Sequence, residues 1–187
     1  MSATDKIRLA KEASAAFGLA STTTKNDALL AVARLLEIRA HEIIEANQRD
    51  LERGIAEGLA EGLQDRLTLN EGRIRSLADA VSQIVTLEDP IGQLVEGKTL
   101  PNGLKLSKVR VPFGVIGVIY EARPNVTIDI ACLAIKTGNA IVLRGGSAAE
   151  HTNAVLVQLL RDAVENVGLP AEAIQTVDDF GRAGAVE

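Results

Sequence analysis

Three polar segments carry the residues best suited to chemistry, and each follows a short apolar run. They are Glu121-Ala-Arg-Pro-Asn125-Val-Thr127, Arg144-Gly-Gly-Ser147 and Asp178-Asp-Phe-Gly-Arg-Ala-Gly184. In the second, Gly145 and Gly146 let a backbone approach a ligand closely. The helix expected to start there offers unpaired N–H groups to an anion. Arg144 adds a permanent charge on a planar donor fork, and Ser147 either caps the helix or donates to a phosphate. The same four residues equally spell a plain glycine turn with a Ser cap and a surface Arg. In the first segment, Asn125 follows a proline in a loop. Its amide either donates to an oxyanion or holds the loop through local backbone bonds. In the third, Gly181 and Gly184 would let a helix start lie against a pyrophosphate, although the spacing is not the Gly-x-Gly-x-x-Gly fingerprint.

Other reactive side chains are few. Cys132 is the only thiol and lies mid-helix near Ile128, Ala131 and Ile135, which reads as an inert core residue. His41 lies off the apolar stripe of a polar helix, and His151 falls in the first turn of another. Neither has a base or a second ligand at useful spacing, so both are expected on the surface, and no metal site is expected.

The elements that must position these residues come in two blocks. Residues 1–90 read as helical. Apolar positions at Leu29, Ala33, Leu36, Ala40, Ile43 and Leu51, with Asn47 on the same stripe, recur at three and four and predict one long amphipathic helix over 28–51. Arg34, Glu37, Glu45 and Arg49 lie off that stripe. Ile7, Ala10, Ser14 and Phe17 mark an earlier helix that Gly18 ends, and Asn70 caps a later one that Asp89-Pro90 stops. Residues 91–111 read as a β-ribbon: extended segments over 92–95 and 104–111 flank the turn signal Pro101-Asn102-Gly103, with one face solvated.

From 112 onward the order is strand, helix, strand, helix, strand. The strands are 114–120, 140–143 and 174–177; the helices are about 127–137 and 148–167. Gly138-Asn139 and Gly168 with Pro170 close the two helices. The run over 114–120 is β-branched and almost wholly apolar, as in a strand covered on both faces. Three strands joined by two helices predict a right-handed, parallel βαβαβ unit, an α/β Rossmann-like half of a doubly wound nucleotide-binding fold. Ligands bind such sheets beyond the carboxyl ends of the strands, which is where the three polar segments fall.

Composition narrows the function classes. The 187 residues suit one ordinary domain, or one domain with a helical extension, and 47% hydrophobic residues allow a sizeable core. Aromatics are 2% and the net charge is −5, so neither stacking platforms nor a basic footprint for nucleic acid is present. One Cys excludes a disulfide framework. The N-terminus lacks the layout of a signal peptide, and no apolar run is long enough to span a bilayer. A cytoplasmic setting, without a nucleic-acid or membrane partner, is the expectation.

The segments Val111-Pro-Phe-Gly-Val-Ile-Gly-Val-Ile-Tyr-Glu-Ala-Arg-Pro-Asn-Val-Thr127 and Lys136-Thr-Gly-Asn-Ala-Ile-Val-Leu-Arg-Gly-Gly-Ser147 closely resemble the gamma-glutamyl phosphate reductases. These are also called glutamate-5-semialdehyde dehydrogenases and form a branch of the aldehyde dehydrogenase superfamily. Ala46-Asn-Gln-Arg-Asp50 resembles them too, and the resemblance extends over essentially the whole chain. It implies a reductase of proline biosynthesis that uses NADPH to convert L-glutamyl 5-phosphate to L-glutamate 5-semialdehyde and phosphate through a cysteine thioester. It also implies an oxyanion role for Asn125 and a cofactor role for Arg144, with Ser147 three residues on favouring NADPH; Gly145, Gly146, Gly181 and Gly184 join the expected cofactor-binding set from their positions after the strands. Further implications are a partial NADP-binding domain over 112–187, a ribbon of the oligomerisation type, and a homo-oligomer at full length. Members of the branch are longer, and Cys132 does not match their nucleophile. The catalytic-Cys domain is therefore expected beyond Glu187, and these residues alone are expected to be inactive. A different class remains open: a non-catalytic module that keeps the βαβαβ unit and binds a nucleotide or a partner.

Overall fold

A computed structural model describes residues 1–121 and 123–181. Five helices come first: α1 (Ala3–Leu19), α2 (Thr22–Ile38), α3 (Ala40–Ala56), α4 (Glu61–Leu67) and α5 (Glu71–Thr86). Ser2 and Asp5 form a reciprocal capping box on α1, and the Ser21 and Asn70 side chains cap α2 and α5. The single helix expected over 28–51 is two helices, broken at Arg39. No glycine or proline marks that break. It is held by one local and one tertiary contact: the Arg39 guanidinium donates to Glu42, three residues on, through Nε and Nη2, and to the distant Asp162 through Nη1 at 2.7 Å. The apolar stripe still faces inward on both pieces, with Leu29, Ala33, Leu36 and Ile43 buried, while Arg34, Glu37, Glu45 and Arg49 are exposed.

β1 (Leu94–Thr99) and β2 (Lys105–Val109) form an antiparallel hairpin. One solvated face was expected, yet every residue of both strands is exposed, because nothing else in the described chain covers the ribbon. Leu94, Leu104, Leu106, Val109, Val111 and Phe113 all face solvent. A two-stranded ribbon cannot bury such a set alone. The chain is therefore expected to self-associate with rising concentration through this exposed edge. Static light scattering tests this, and a clean monomer at high concentration would contradict it.

The sheet that follows has β3 (Val115–Ile119), β4 (Ala140–Arg144) and β5 (Ile174–Thr176), all parallel, in the order β3-β4-β5. α6 (Pro124–Lys136) and α7 (Glu150–Glu165) make the crossovers. α1 packs on all three strands, α6 on β4, and α7 on β5; α2 bridges α5, α6 and α7. The expectation that 114–120 is a strand covered on both faces fails; the covered strand is β4. β3 lies at the sheet edge with Gly117 and Ile119 exposed, whereas Ala140, Ile141, Val142 and Leu143 are buried. Gly138 ends α6 with φ +66°, and a Cβ there would meet the Phe17 carbonyl at 3.1 Å, so the position needs glycine twice over.

Candidate cofactor and oxyanion site

All three strands point their carboxyl ends at one place, and a chain of buried and half-buried polar groups ties those ends together. The Thr127 hydroxyl donates to Asn153 Oδ1 at 2.9 Å, so its oxygen is left to accept from the Tyr120 hydroxyl at 2.6 Å. Asn153 Nδ2 donates to Asp178 Oδ2 at 3.4 Å, and the Gly145 amide donates to Asp178 Oδ1 at 2.6 Å. Tyr120 follows β3, Gly145 follows β4 and Asp178 follows β5, so one network fixes all three loops. Burial, foremost, pushes the Tyr120 phenol up to about 12, with the Asp178 charge adding to it and the Thr127 bond opposing. Tyr120 is therefore a proton-holding strut at neutral pH.

Asn125 is not in a loop. α6 starts three residues earlier than expected, with Pro124 at its first position, where a fixed φ suits the helix. Asn125 thus lies in the first turn, and its Nδ2 donates to Asp129 Oδ2 one turn later at 3.2 Å. That bond aims the amide, and its second N–H is left for another acceptor. Burial raises the Asp129 pKa above the usual carboxylate range, with the Asn125 bond opposing. Asn125, Asp129 and Arg123 line one cavity of about 480 Å³ with α4 and α5.

Arg144 ends β4 half-buried, and its Nε is fully buried with no partner among the described residues. An orphaned, permanently charged donor beside a strand end fits an anionic ligand group. The glycine after it has an internal reason to be glycine. A Cβ on Gly145 would lie 2.1 Å from Asn153 Nδ2 and 3.2 Å from the Tyr120 hydroxyl. Asn153 is fully buried and bonded on both sides, so it has nowhere to swing. Gly145→Ala is expected to cost about 2 kcal/mol through the broken network, read as a lower denaturant midpoint. A change within the error of the extrapolation would contradict the network's tightness.

The helix start expected at residue 148 differs most from the sequence reading. Ser147 begins a one-turn 3-10 segment, Ser147–Ala149, and α7 proper starts at Glu150. Ser147 makes no cap bond, and its side chain remains exposed. The α7 amides are not free for an anion, because Asp50 from α3 already occupies them. Its carboxylate accepts from the amides of His151 at 3.1 Å and Thr152 at 2.8 Å, and from the Thr152 hydroxyl at 2.7 Å. Arg53 Nη2 binds the same carboxylate at 3.0 Å and also reaches the Ser147 carbonyl at 2.5 Å. His151 is half-exposed, as expected, but its Nδ1 lies 2.8 Å from Asp50 Oδ1, a partner the sequence did not reveal. At this end of the sheet Ser147 is exposed and Arg144 and Gly146 are half-buried, while the α7 N-terminus is occupied by Asp50. Gly181 follows the short turn Asp178–Phe180 with φ +56°. Gly184 lies outside the described residues.

Cys132 is fully buried in α6, and burial, with the Asp129 charge adding, pushes its thiol far above the ordinary range. A thiol held protonated and inaccessible is no nucleophile. His41 is exposed, with Glu45 its nearest carboxylate at 3.6 Å. Among the described residues, no helix is long and apolar enough to cross a membrane.

The family model described as the aldehyde dehydrogenase family matches residues 2–186. The chain belongs to that family. Over 184 residues it is 56% identical to the gamma-glutamyl phosphate reductase of Leifsonia xyli, covering 98% of this chain and 44% of that protein. The crystal structure of the gamma-glutamyl phosphate reductase of Thermotoga maritima superposes with a TM-score of 0.95 at 37% identity, covering 98% of this chain and 44% of that one. An acetylating aldehyde dehydrogenase from Geobacillus thermoglucosidasius shares the fold alone, with a TM-score of 0.72 at 15% identity over 94% of this chain and 36% of its own. The chain thus spans less than half the length of these relatives. The order of helices, ribbon and parallel sheet in this family member is the one found in the Thermotoga structure.

Proposed function

We propose that these residues form the cofactor- and oxyanion-side part of an NADPH-dependent reductase of the cytoplasm. The reaction converts L-glutamyl 5-phosphate to L-glutamate 5-semialdehyde and phosphate in proline biosynthesis. The observation that carries this reading is the likeness to gamma-glutamyl phosphate reductases over nearly the whole chain, with Asn125 in the first turn of α6 lining a cavity.

NADPH, when bound, supplies the hydride. In this chain Arg144 would hold its adenosine side, with the exposed Ser147 hydroxyl and the Gly146 and Gly181 backbone beside it. Asn125 donates its second amide N–H to the oxygen on which negative charge grows during acyl transfer, and Asp129 keeps that amide aimed. The Tyr120–Thr127–Asn153–Asp178 network keeps the Asn125 turn and the Arg144 loop in fixed relation, so no reorganisation is needed at the moment of reaction. Cys132 takes no part. The nucleophilic thiolate is assigned outside these residues, so the 187 residues alone are expected to be inactive.

The reading is tested in a chimera in which this chain replaces the matching segment of the Leifsonia xyli reductase. NADP reduction dependent on glutamate semialdehyde and phosphate supports it; a folded chimera without that activity overturns it. Cofactor choice is tested at Ser147 in the same chimera. A carboxylate there accepts from ribose hydroxyls and repels a 2′-phosphate. Ser147→Glu is expected to lower the preference for NADPH over NADH about tenfold, the effect of roughly 1.4 kcal/mol. Unchanged selectivity would move the 2′-phosphate away from this loop.

A further inference from the structure

Resting on that reading, we propose that the cavity between α4, α5 and the first turns of α6 binds the α-amino-acid end of the substrate, its carboxylate on Arg66 and Arg123 and its ammonium on Asp129. The cavity carries opposite charges that do not satisfy one another. Arg73, also on its wall, is spoken for: it pairs with Asp65 at 2.6 Å and donates to the Thr68 carbonyl at 2.8 Å. Arg66 and Arg123 have no ion pair or side-chain hydrogen bond among the described residues, yet both line the cavity. Asp129 is half-buried, and its one side-chain hydrogen bond among the described residues is from a neutral amide, Asn125 Nδ2 to Oδ2. Its Oδ1 has no partner among the described residues, and no cationic side chain pairs with it.

A half-buried carboxylate without a counter-ion is a costly arrangement unless a ligand cation completes it. Two guanidinium groups without anions in the same cavity ask for the opposite charge. One small molecule that carries both complements is an α-amino acid. The bond to Asn125 sets its direction: the acyl oxygen meets the Asn125 amide, and the amino-acid end extends along α6 and across to α4. This is a recognition role distinct from the chemistry at the acyl carbon. It would let the protein reject acyl compounds that lack the ammonium or the carboxylate.

The test is binding of three probes to the chain, followed by amide chemical shifts. L-Glutamate 5-methyl ester has both charged groups, monomethyl glutarate lacks the ammonium, and methyl 4-aminobutanoate lacks the carboxylate. The amino-acid ester should shift amides around Asn125 and along α4 and α5, and bind about tenfold more tightly than either partial probe, the effect of roughly one retained charge pair. Asp129→Asn keeps an acceptor for Asn125 while removing the charge, and should bring the amino-acid ester down to the level of monomethyl glutarate. Arg66→Gln and Arg123→Gln should each weaken both carboxylate-bearing probes and leave methyl 4-aminobutanoate unchanged. Equal affinities for the three probes on the unaltered chain, shifts elsewhere, or no binding overturn the proposal, and that comparison needs no variant to fold. Semialdehyde activity in the chimera with a flat probe ranking removes this site alone. A held ranking with no chimera activity removes the reductase reading and leaves an amino-acid site.

Discussion

Asp50→Ala is expected to lower the stability of the chain by about 3 kcal/mol, since it removes a helix cap and several charge-assisted hydrogen bonds at once. For a chain of this size that is a fall in Tm of roughly 6–12 °C. The Asp50 side chain is 0% exposed, so its charge depends entirely on its partners. They are the His151 and Thr152 amides, the Thr152 hydroxyl, the His151 ring and Arg53. Removing the carboxylate orphans two amides at the start of α7 and leaves Arg53 holding only Glu150 and the Ser147 carbonyl. The loss is local as well as global, because Arg53 of this cluster also ties α3 to the Ser147 carbonyl. Asp50→Asn keeps one acceptor and gives up the charge, so it should fall between the two. Thermal unfolding of the three proteins measures this. An Asp50→Ala protein as stable as the parent would show that α7 finds another cap.

The same residue shows where sequence reasoning stops. The strands and crossover helices of the sheet were legible because β-branched runs and glycine-ended helices are local signals: Val115–Ile119 and Ala140–Arg144 fall within a residue or so of expectation. The carboxyl ends of those strands then pointed to Asn125 and Arg144. Asp50 gave no such signal. It lies on a charged helix with its partners 101 and 102 positions away in sequence, and only the packing of α3 on α7 brings them together. That packing also changes the meaning of the Arg144-Gly-Gly-Ser147 segment. From spacing, its glycines and helix start read as an open anion cradle. In the fold, Gly145 makes room for Asn153 and the helix start is filled by the chain's own carboxylate. The break at Arg39 was hidden for a related reason. An amphipathic stripe continues across it unbroken, and the turn is held by Asp162 on a different helix. The Tyr120–Thr127–Asn153–Asp178 network is likewise invisible in sequence, because its members lie on different elements and none is unusual alone.

The most direct test of the central claim is the rate of semialdehyde-dependent NADP reduction in the Leifsonia chimera, compared with its Asn125→Ala and Cys132→Ala variants. Removing one preorganised oxyanion donor costs about 10²–10³ in kcat, so Asn125→Ala should lose activity on that scale. Binding of NADP should be little changed, because Arg144 is not among the residues that line the Asn125 cavity. Cys132→Ala should keep its rate within about twofold once its stability is allowed for, since a buried, protonated thiol takes no part in the chemistry. Full activity in Asn125→Ala, or its abolition in a folded Cys132→Ala, would contradict the account.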